Sequence, residues 1–254
     1  MGGDGDFQFY SIGVDMAGNR EAVPADADQT ATFNAGTVWT IINAPTIIGE
    51  EDATFDNKNL RINGAAVTVD GTHSFKNIEL LNGATLTHSD TTTLQEYKLN
   101  ISAWTLTIDG TSSIDATGKG YMGGRGYYEQ GRTLGNVYGA DGGAGGSYGG
   151  VGGSYSGAVT NNVYGSLTDP QELGSGGGSW GSTTGGDGGG LIKLNTINIA
   201  VDGAIKNNGG ESEGSAAGDG SGGGINISTA TLSGSGGIMS NGGGSGNAEF
   251  LFHV

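Results

Sequence analysis

The sequence predicts an all-β fold, a right-handed parallel β-helix that carries a long glycine- and tyrosine-rich loop excursion. Three observations support this prediction. Short blocks of Ile, Leu, Val and Thr alternate with polar residues, as in strands with one buried face. The blocks recur along the chain and are separated by Asn-Gly and Asp-Gly corners. The 55 glycines among 254 residues follow no collagen period and are accompanied by only 3 prolines, which excludes a triple helix.

The repeat is the strongest of these signals. Leu99–Gly110 matches Ile192–Gly203 position by position in apolar character, and nine positions of Ile192–Gly210 correspond to positions of Ile225–Gly243. Short strands with inward residues at every second position stack edge to edge as the coils of a solenoid. The other repeats are shorter: Ala66–Thr72 aligned with Thr105–Thr111, and single coils at residues 37–48, 59–63, 74–80 and 84–88. Hairpin meanders use the same corner dipeptides, so an antiparallel sandwich is the alternative fold.

The first 33 residues differ from the rest of the chain. Phe7–Val14 alternates as a strand does, and Asp15–Glu21 is rich in turn-forming residues. The run Phe9–Pro24 resembles the last two strands and the connecting loop of fibronectin type III-like domains in bacterial extracellular proteins. The predicted organisation is a partial domain of this kind, or a cap, over residues 1–33, followed by a glycine-rich β-helix. The β-helix covers residues 34–254, with an insertion at about 118–190 and a last strand over 247–254.

Charge and composition exclude several classes of partner. A net charge of -16 repels both nucleic-acid backbones and anionic membrane surfaces. Without cysteine, no disulfide framework and no thiol chemistry are available. The longest apolar stretch, residues 38–48, is interrupted by Asn43 and Pro45 and is too short to span a bilayer. We therefore expect no nucleic-acid partner and no membrane insertion. The start lacks a signal peptide's basic and apolar regions, so the chain is either intracellular or an internal segment of a longer protein.

The predicted excursion at about 118–190 holds most of the tyrosines in the chain. In a stretch so poor in aliphatic residues, tyrosines either pack over the coils as a lid or present their rings to a ligand such as a sugar. The glycine runs within it lose much conformational entropy on ordering. Either polyglycine-II-like backbone packing offsets that loss, or the excursion orders only on a ligand or a neighbouring chain. The candidate ligand-binding residues are Tyr121, Tyr127, Tyr128, Tyr138, Tyr148, Tyr155, Tyr164 and Trp180.

Carboxylates offer the main alternative chemistry, because some parallel β-helices cleave polysaccharides with acidic residues and calcium. Asp70, Asp109 and Asp202 each precede glycine at corners that the repeat makes equivalent. Neighbouring coils are about 4.8 Å apart, so two such carboxylates repel unless a proton or a cation lies between them. Alternatively, each aspartate forms an Asx turn before its glycine. Asp187 and Asp219, in Gly-Asp-Gly sequences with broken repeats-in-toxin spacing, are the candidate ligands of a structural Ca²⁺ ion.

Other catalytic motifs are weak. The pattern G-x-S-x-G at residues 145–149 and 177–181 is expected by chance in glycine-rich sequence, and the strand-turn-helix setting of a reactive serine is absent. His73, His88 and His253 share no metal-ligand spacing.

Most of the chain, from Asp70 to Gly244, resembles the glycine-rich repeat regions of very large secreted or surface proteins of bacteria. The residues that carry this resemblance are Asn82–His88, Ile114–Tyr121, Gly131–Gly135 and Glu172–Gly178. The resemblance implies an extracellular or cell-surface location and no assigned catalytic residues. The predicted function is a non-catalytic module for adhesion, ligand binding or a structural stalk, with a cell-surface glycan or another copy of the protein as partner. The alternative is a β-helix polysaccharide lyase or hydrolase that uses acidic residues.

Overall fold

The computed structural model describes residues 37–244, the segments 5–9 and 29–33, and residue 22. The chain divides into two compact units, Met1–Val38 and Trp39–Val254. In the first unit, strand β1 (Gly5–Phe9) pairs antiparallel with β2 (Gln29–Phe33). The predicted strand Phe7–Val14 falls within the described residues only as far as Phe9. The predicted turn at 15–21 and the last strand at 247–254 lie outside the described residues, so the fibronectin-like resemblance stays a prediction.

The second unit is an all-β structure, which confirms the coarse fold prediction. Its only helical element among the described residues is a single 3-10 turn, Ala53–Phe55. Its strands are, in chain order, β3 (Trp39–Ile42), β4 (Thr46–Ile48), β5 (Asn59–Asn63), β6 (Ala66–Val69), β7 (Gly71–Ser74), β8 (Asn77–Leu81), β9 (Thr85–Thr87), β10 (Leu99–Ile108), β11 (Ser113–Asp115), β12 (Arg132–Thr133), β13 (Val137–Tyr138), β14 (Leu191–Val201), β15 (Ala204–Lys206), β16 (Gly224–Ser233) and β17 (Gly237–Met239).

Two parallel sheets contain most of these strands. Sheet one has the order β3-β5-β8-β10-β14-β16, with β7 also paired to β10, and sheet two has the order β4-β6-β9-β11-β15-β17. The spatial order equals the chain order in both, and the chain alternates between the sheets. Every described strand pair within the two sheets is parallel. The antiparallel sandwich is therefore wrong.

The strand register stacks aliphatic side chains into buried columns between the sheets. In sheet one, Leu106 pairs with Ile199 and Ile199 with Leu232. This is the predicted repeat alignment, and it is confirmed from Leu99 onward. A column of sheet two contains Val67, Leu86, Ile114, Ile205 and Ile238. Burial of these aliphatic groups supplies the hydrophobic stabilisation of the stack, at roughly 25 cal/mol per Å² of apolar surface.

The predicted alignment of Ala66–Thr72 with Thr105–Thr111 is wrong. β6 lies in sheet two beside β9, whereas Thr105–Ile108 pairs with β8 in sheet one. Strands of both sheets share the same alternation and the same corner residues, so the sequence does not tell one sheet from the other. Asp70 consequently does not share a corner with Asp109.

The glycine-rich stretches form a second core made of backbone. The segment Gly174–Gly178 is wholly buried and exchanges backbone hydrogen bonds of 2.8–3.0 Å with several neighbouring segments. A strand in a flat sheet pairs with at most two neighbouring strands. Because this segment bonds to five others, the segments must surround it in a three-dimensional bundle. Those partners lie at residues 121–124, 132, 144, 186–189 and 218–221. We call these packed segments the glycine bundle; its segments bond to one another through their backbones, as the polyglycine-II-like alternative expects, and it extends beyond 118–190 to Gly243.

Close approach explains why the bundle is built of glycine. A Cβ atom on Gly177 would lie 2.1 Å from the carbonyl oxygen of Gly218, far inside van der Waals contact. The obstructing atoms belong to the backbone, which has no rotamer to change. A side chain is therefore excluded at such glycine positions, where backbone hydrogen bonds replace apolar burial.

Candidate functional site

Three of the predicted ligand-binding tyrosines are buried or partly buried in the protein. Tyr121 is 2% exposed, and its hydroxyl donates to the Glu96 carboxylate at 3.0 Å. Tyr164 donates to the Leu173 carbonyl at 2.6 Å and packs edge to face with Tyr148, with 5.1 Å between ring centroids. Burial, and then the nearby Glu172 carboxylate, raise the pKa of Tyr148 to about 12. Burial also raises the pKa of the other two hydroxyls. Tyr121 is therefore almost wholly inside the protein, whereas Tyr148 and Tyr164 keep part of their surface exposed.

Four others meet on the surface. Tyr127, Tyr128, Trp180 and Tyr155 form a chain of edge-to-face contacts with successive centroid separations of 4.7, 5.1 and 5.3 Å. Tyr127 is 79% exposed, Tyr128 45% and Tyr155 50%. We call these four residues the aromatic cluster. Tyr138, the remaining candidate, instead lies beneath the Arg132 guanidinium, which is 4.8 Å from its ring centroid.

The glycine bundle holds the aromatic cluster in place. Loops 125–130 and 179–184 connect bundle segments, and they are tied to each other through Glu129 and Ser179. The Glu129 amide donates to Ser179 Oγ at 2.6 Å, and the Ser179 amide donates to the Glu129 carbonyl at 2.9 Å. Gly143, with φ +86°, lets the Trp180 ring lie close to the backbone, since a Cβ there would be 3.1 Å from Trp180 Cε3. Two of the loops that carry the cluster are therefore bonded to each other.

The two predicted calcium ligands already have protein partners. Asp187 forms an ion pair with Arg125 at 2.6 Å and also accepts from the Gly123 amide at 2.7 Å. Asp219 accepts from the Ser212 amide at 2.7 Å. In the part of the chain that the structure describes, no group of three or more His, Asp or Glu side chains is arranged to hold a metal ion. Calcium binding stays a prediction.

The corner aspartates act as hydrogen-bond acceptors between strand layers. Asp109 accepts from the Asn82 amide at 2.7 Å and from the Thr111 amide and hydroxyl at 2.9 and 2.8 Å. Desolvation acts to raise the pKa of Asp109, but these hydrogen bonds and one from Ser112 together hold it well below its usual value. Asp202 accepts from the Ser235 amide at 3.1 Å. A carboxylate with so low a pKa is a poor general acid near neutral pH.

Sequence reasoning missed a set of buried polar residues where sheet two meets the glycine bundle. Each follows a strand of sheet two directly, at a position that is aliphatic in the earlier layers. His88 Nδ1–H donates to the Ser89 carbonyl at 2.8 Å, and His88 Nε2 accepts from the Leu191 amide at 3.3 Å. Asn207 donates to two carbonyls where bundle segments meet β14 and β16, at 2.9 and 2.8 Å. Burial lowers the pKa of His88 to about 4. The sequence signal for these residues is that this repeat position is aliphatic in the early layers and holds His88 or Asn207 in later ones.

No family model, curated protein or solved structure matches the chain. Among the described residues, the fold contains no helix with the length and apolar character needed to cross a membrane.

Proposed function

We propose that the second unit is a right-handed parallel β-helix with a glycine bundle packed beside it. We further propose that it serves as a non-catalytic binding module of a larger secreted or cell-surface bacterial protein. Its contact surface is the aromatic cluster, and its ligand is an uncharged glycan.

The strand order supports the β-helix. The chain passes from sheet one to sheet two and back, and each return places the next strand beside the previous one in the same sheet. Parallel crossover connections adopt the right hand almost without exception. A stack of this kind is stiff, which suits a module that holds a surface away from its anchor.

The aromatic cluster is the observation that carries the binding function. Tyrosine and tryptophan offer large rigid contact area at little cost in side-chain entropy, and their ring faces stack on the C–H faces of sugars. Three of the four rings are about half exposed or more, although each has a ring neighbour to pack against. Large exposed apolar groups in contact with one another mark interaction surfaces.

The surrounding charge supports an uncharged ligand. Arg125, the basic residue beside the cluster, is paired with Asp187. Glu213, in the neighbouring loop 211–217, bonds through its amide to the Thr184 carbonyl and so lies against loop 179–184. Together with the net charge of -16, this arrangement repels uronic acids and phosphorylated glycans.

A glycan array that displays neutral and acidic oligosaccharides tests the proposal. We expect the protein to bind neutral structures, and the Tyr127→Ala, Tyr128→Ala double variant to lose at least about tenfold in affinity, as for truncation of a central aromatic contact. Leu167→Ala is the matched control, because Leu167 is 92% exposed and lies outside the cluster. Undiminished binding by the double variant, or preferential binding of acidic glycans, would contradict the proposal.

A further inference from the structure

A second concave surface lies between the β12–β13 hairpin and residues 160–164, and it shares no residue with the aromatic cluster. This groove has a volume of about 400 Å³ and is open to solvent. Small-molecule sites in proteins typically have volumes of about 300–1,000 Å³, so the groove has the size of a ligand site. Its apolar lining consists of Leu134, Val137, Tyr138, Val163 and Tyr164.

Both walls of the groove are held by hydrogen bonds. In the hairpin, Arg132 Nη1 donates to the Asn136 carbonyl at 2.7 Å, and its guanidinium lies over one face of the Tyr138 ring. In the opposite wall, the buried side chain of Asn161 accepts from the Ser147 amide at 2.8 Å. Asn161 Nδ2 also donates to Thr133 Oγ1 at 3.0 Å, and this bond joins the two walls at the floor. The groove is preformed, so a ligand loses little affinity to ordering of the protein.

The chemistry of the lining selects an uncharged ligand. Among the described residues, no charged side chain lines the groove, although the chain carries a net charge of -16. Leu134, Val137, Tyr138 and Val163 are 47–56% exposed and offer apolar contact. Two polar groups at the rim, the Thr160 hydroxyl and the Asn162 side-chain amide, make no hydrogen bond within the described part of the chain. Apolar walls beside unbonded donors and acceptors are complementary to a sugar ring, which has C–H groups on its faces and hydroxyl groups at its edges.

We propose that this groove binds a neutral sugar residue, with the ring against Tyr138 and Val163 and its hydroxyls bonded to Asn162 and Thr160. The site is separate from the aromatic cluster, and the proposal does not depend on binding at the cluster.

The test is a titration followed by two-dimensional NMR of the backbone amides. The probes are neutral hexaoses of glucose, galactose, mannose and xylose, with a galacturonate hexamer as the charged comparison. We expect at least one neutral hexaose to give saturable shifts at residues 133–139 and 160–164, and the galacturonate hexamer to give none. Tyr138→Ala should weaken this binding by at least about tenfold. Asn162→Asp, a change at an exposed position, should weaken it while the unbound spectrum keeps the native pattern.

Tyr127→Ala separates this proposal from the proposed function, since it alters the aromatic cluster and should leave the groove titration unchanged. The proposal is overturned if none of the neutral hexaoses shifts the groove residues at millimolar concentration. It is equally overturned if the galacturonate hexamer binds there as tightly, or if Tyr138→Ala and Asn162→Asp both bind like the unaltered protein.

Discussion

Adding one methyl group to the centre of the glycine bundle, by Gly177→Ala, is expected to destabilise the protein strongly. The new Cβ would lie 2.1 Å from the oxygen and 2.3 Å from the carbon of the Gly218 carbonyl. Relief requires segments 174–178 and 218–221 to separate, which weakens the bond from the Gly218 amide to the Gly178 carbonyl, 2.8 Å, and the bond from the Ser221 amide to the Ser175 carbonyl, 2.9 Å. Overpacking costs about 1–3 kcal/mol, and each buried hydrogen bond contributes about 1 kcal/mol. Alanine also restricts the unfolded chain more than glycine does, and this offsets about 0.4–1 kcal/mol of the destabilisation. We expect a net loss of about 3 kcal/mol.

Chemical denaturation measures this loss, and hydrogen exchange with mass spectrometry locates it. Exchange should accelerate in peptides that cover residues 174–190 and 207–223, and less in β5, β6 and β8, which pack in the aliphatic core. Gly149→Ala is the matched control, because nothing lies within 4 Å of its added Cβ and its φ is ordinary. If Gly177→Ala and Gly149→Ala have the same unfolding free energy, backbone packing does not stabilise the glycine segments and the reasoning fails.

Two further predictions concern buried and corner groups. The pKa of His88 is about 4 in the fold against 6.5 for the free side chain, so the unfolded chain binds the proton first. The His88 contribution to the free energy of unfolding should therefore be complete above pH 6.5 and fall by about 3 kcal/mol as the pH decreases to about 4. NMR titration of the His88 imidazole should follow the same pH range. An imidazole that titrates near 6.5 would refute this prediction. Asp109→Asn should cost about 1 kcal/mol in unfolding free energy through weaker hydrogen bonds to Asn82 and Thr111. If the unaltered protein depolymerises a polysaccharide and this variant does not, Asp109 has a catalytic role.

The candidate site was only partly predictable. The glycine- and tyrosine-rich sequence pointed to the region that contains the aromatic cluster, yet tyrosines in that region lie both in the interior and on the surface. Tyr121 and Tyr127 are six positions apart and both follow glycine-containing sequence, but one is 2% exposed and the other 79% exposed. The sequence around Tyr121 does not show that Glu96 and Gly135, which are distant in the chain, bond to its hydroxyl in the fold.

The sequence by itself determined the strands, their alternation and the alignment of the long repeats, because inward side chains at every second position are a local property that recurs wherever a strand has one buried face. It did not distinguish the two sheets, so Ala66–Thr72 was aligned with a strand of the wrong sheet. Only the tertiary structure decided that glycine segments far apart in the chain pack against one another through their backbones. A glycine has no side chain whose polarity or size would indicate what packs against it. The close approach of backbones that requires glycine exists only in the folded protein.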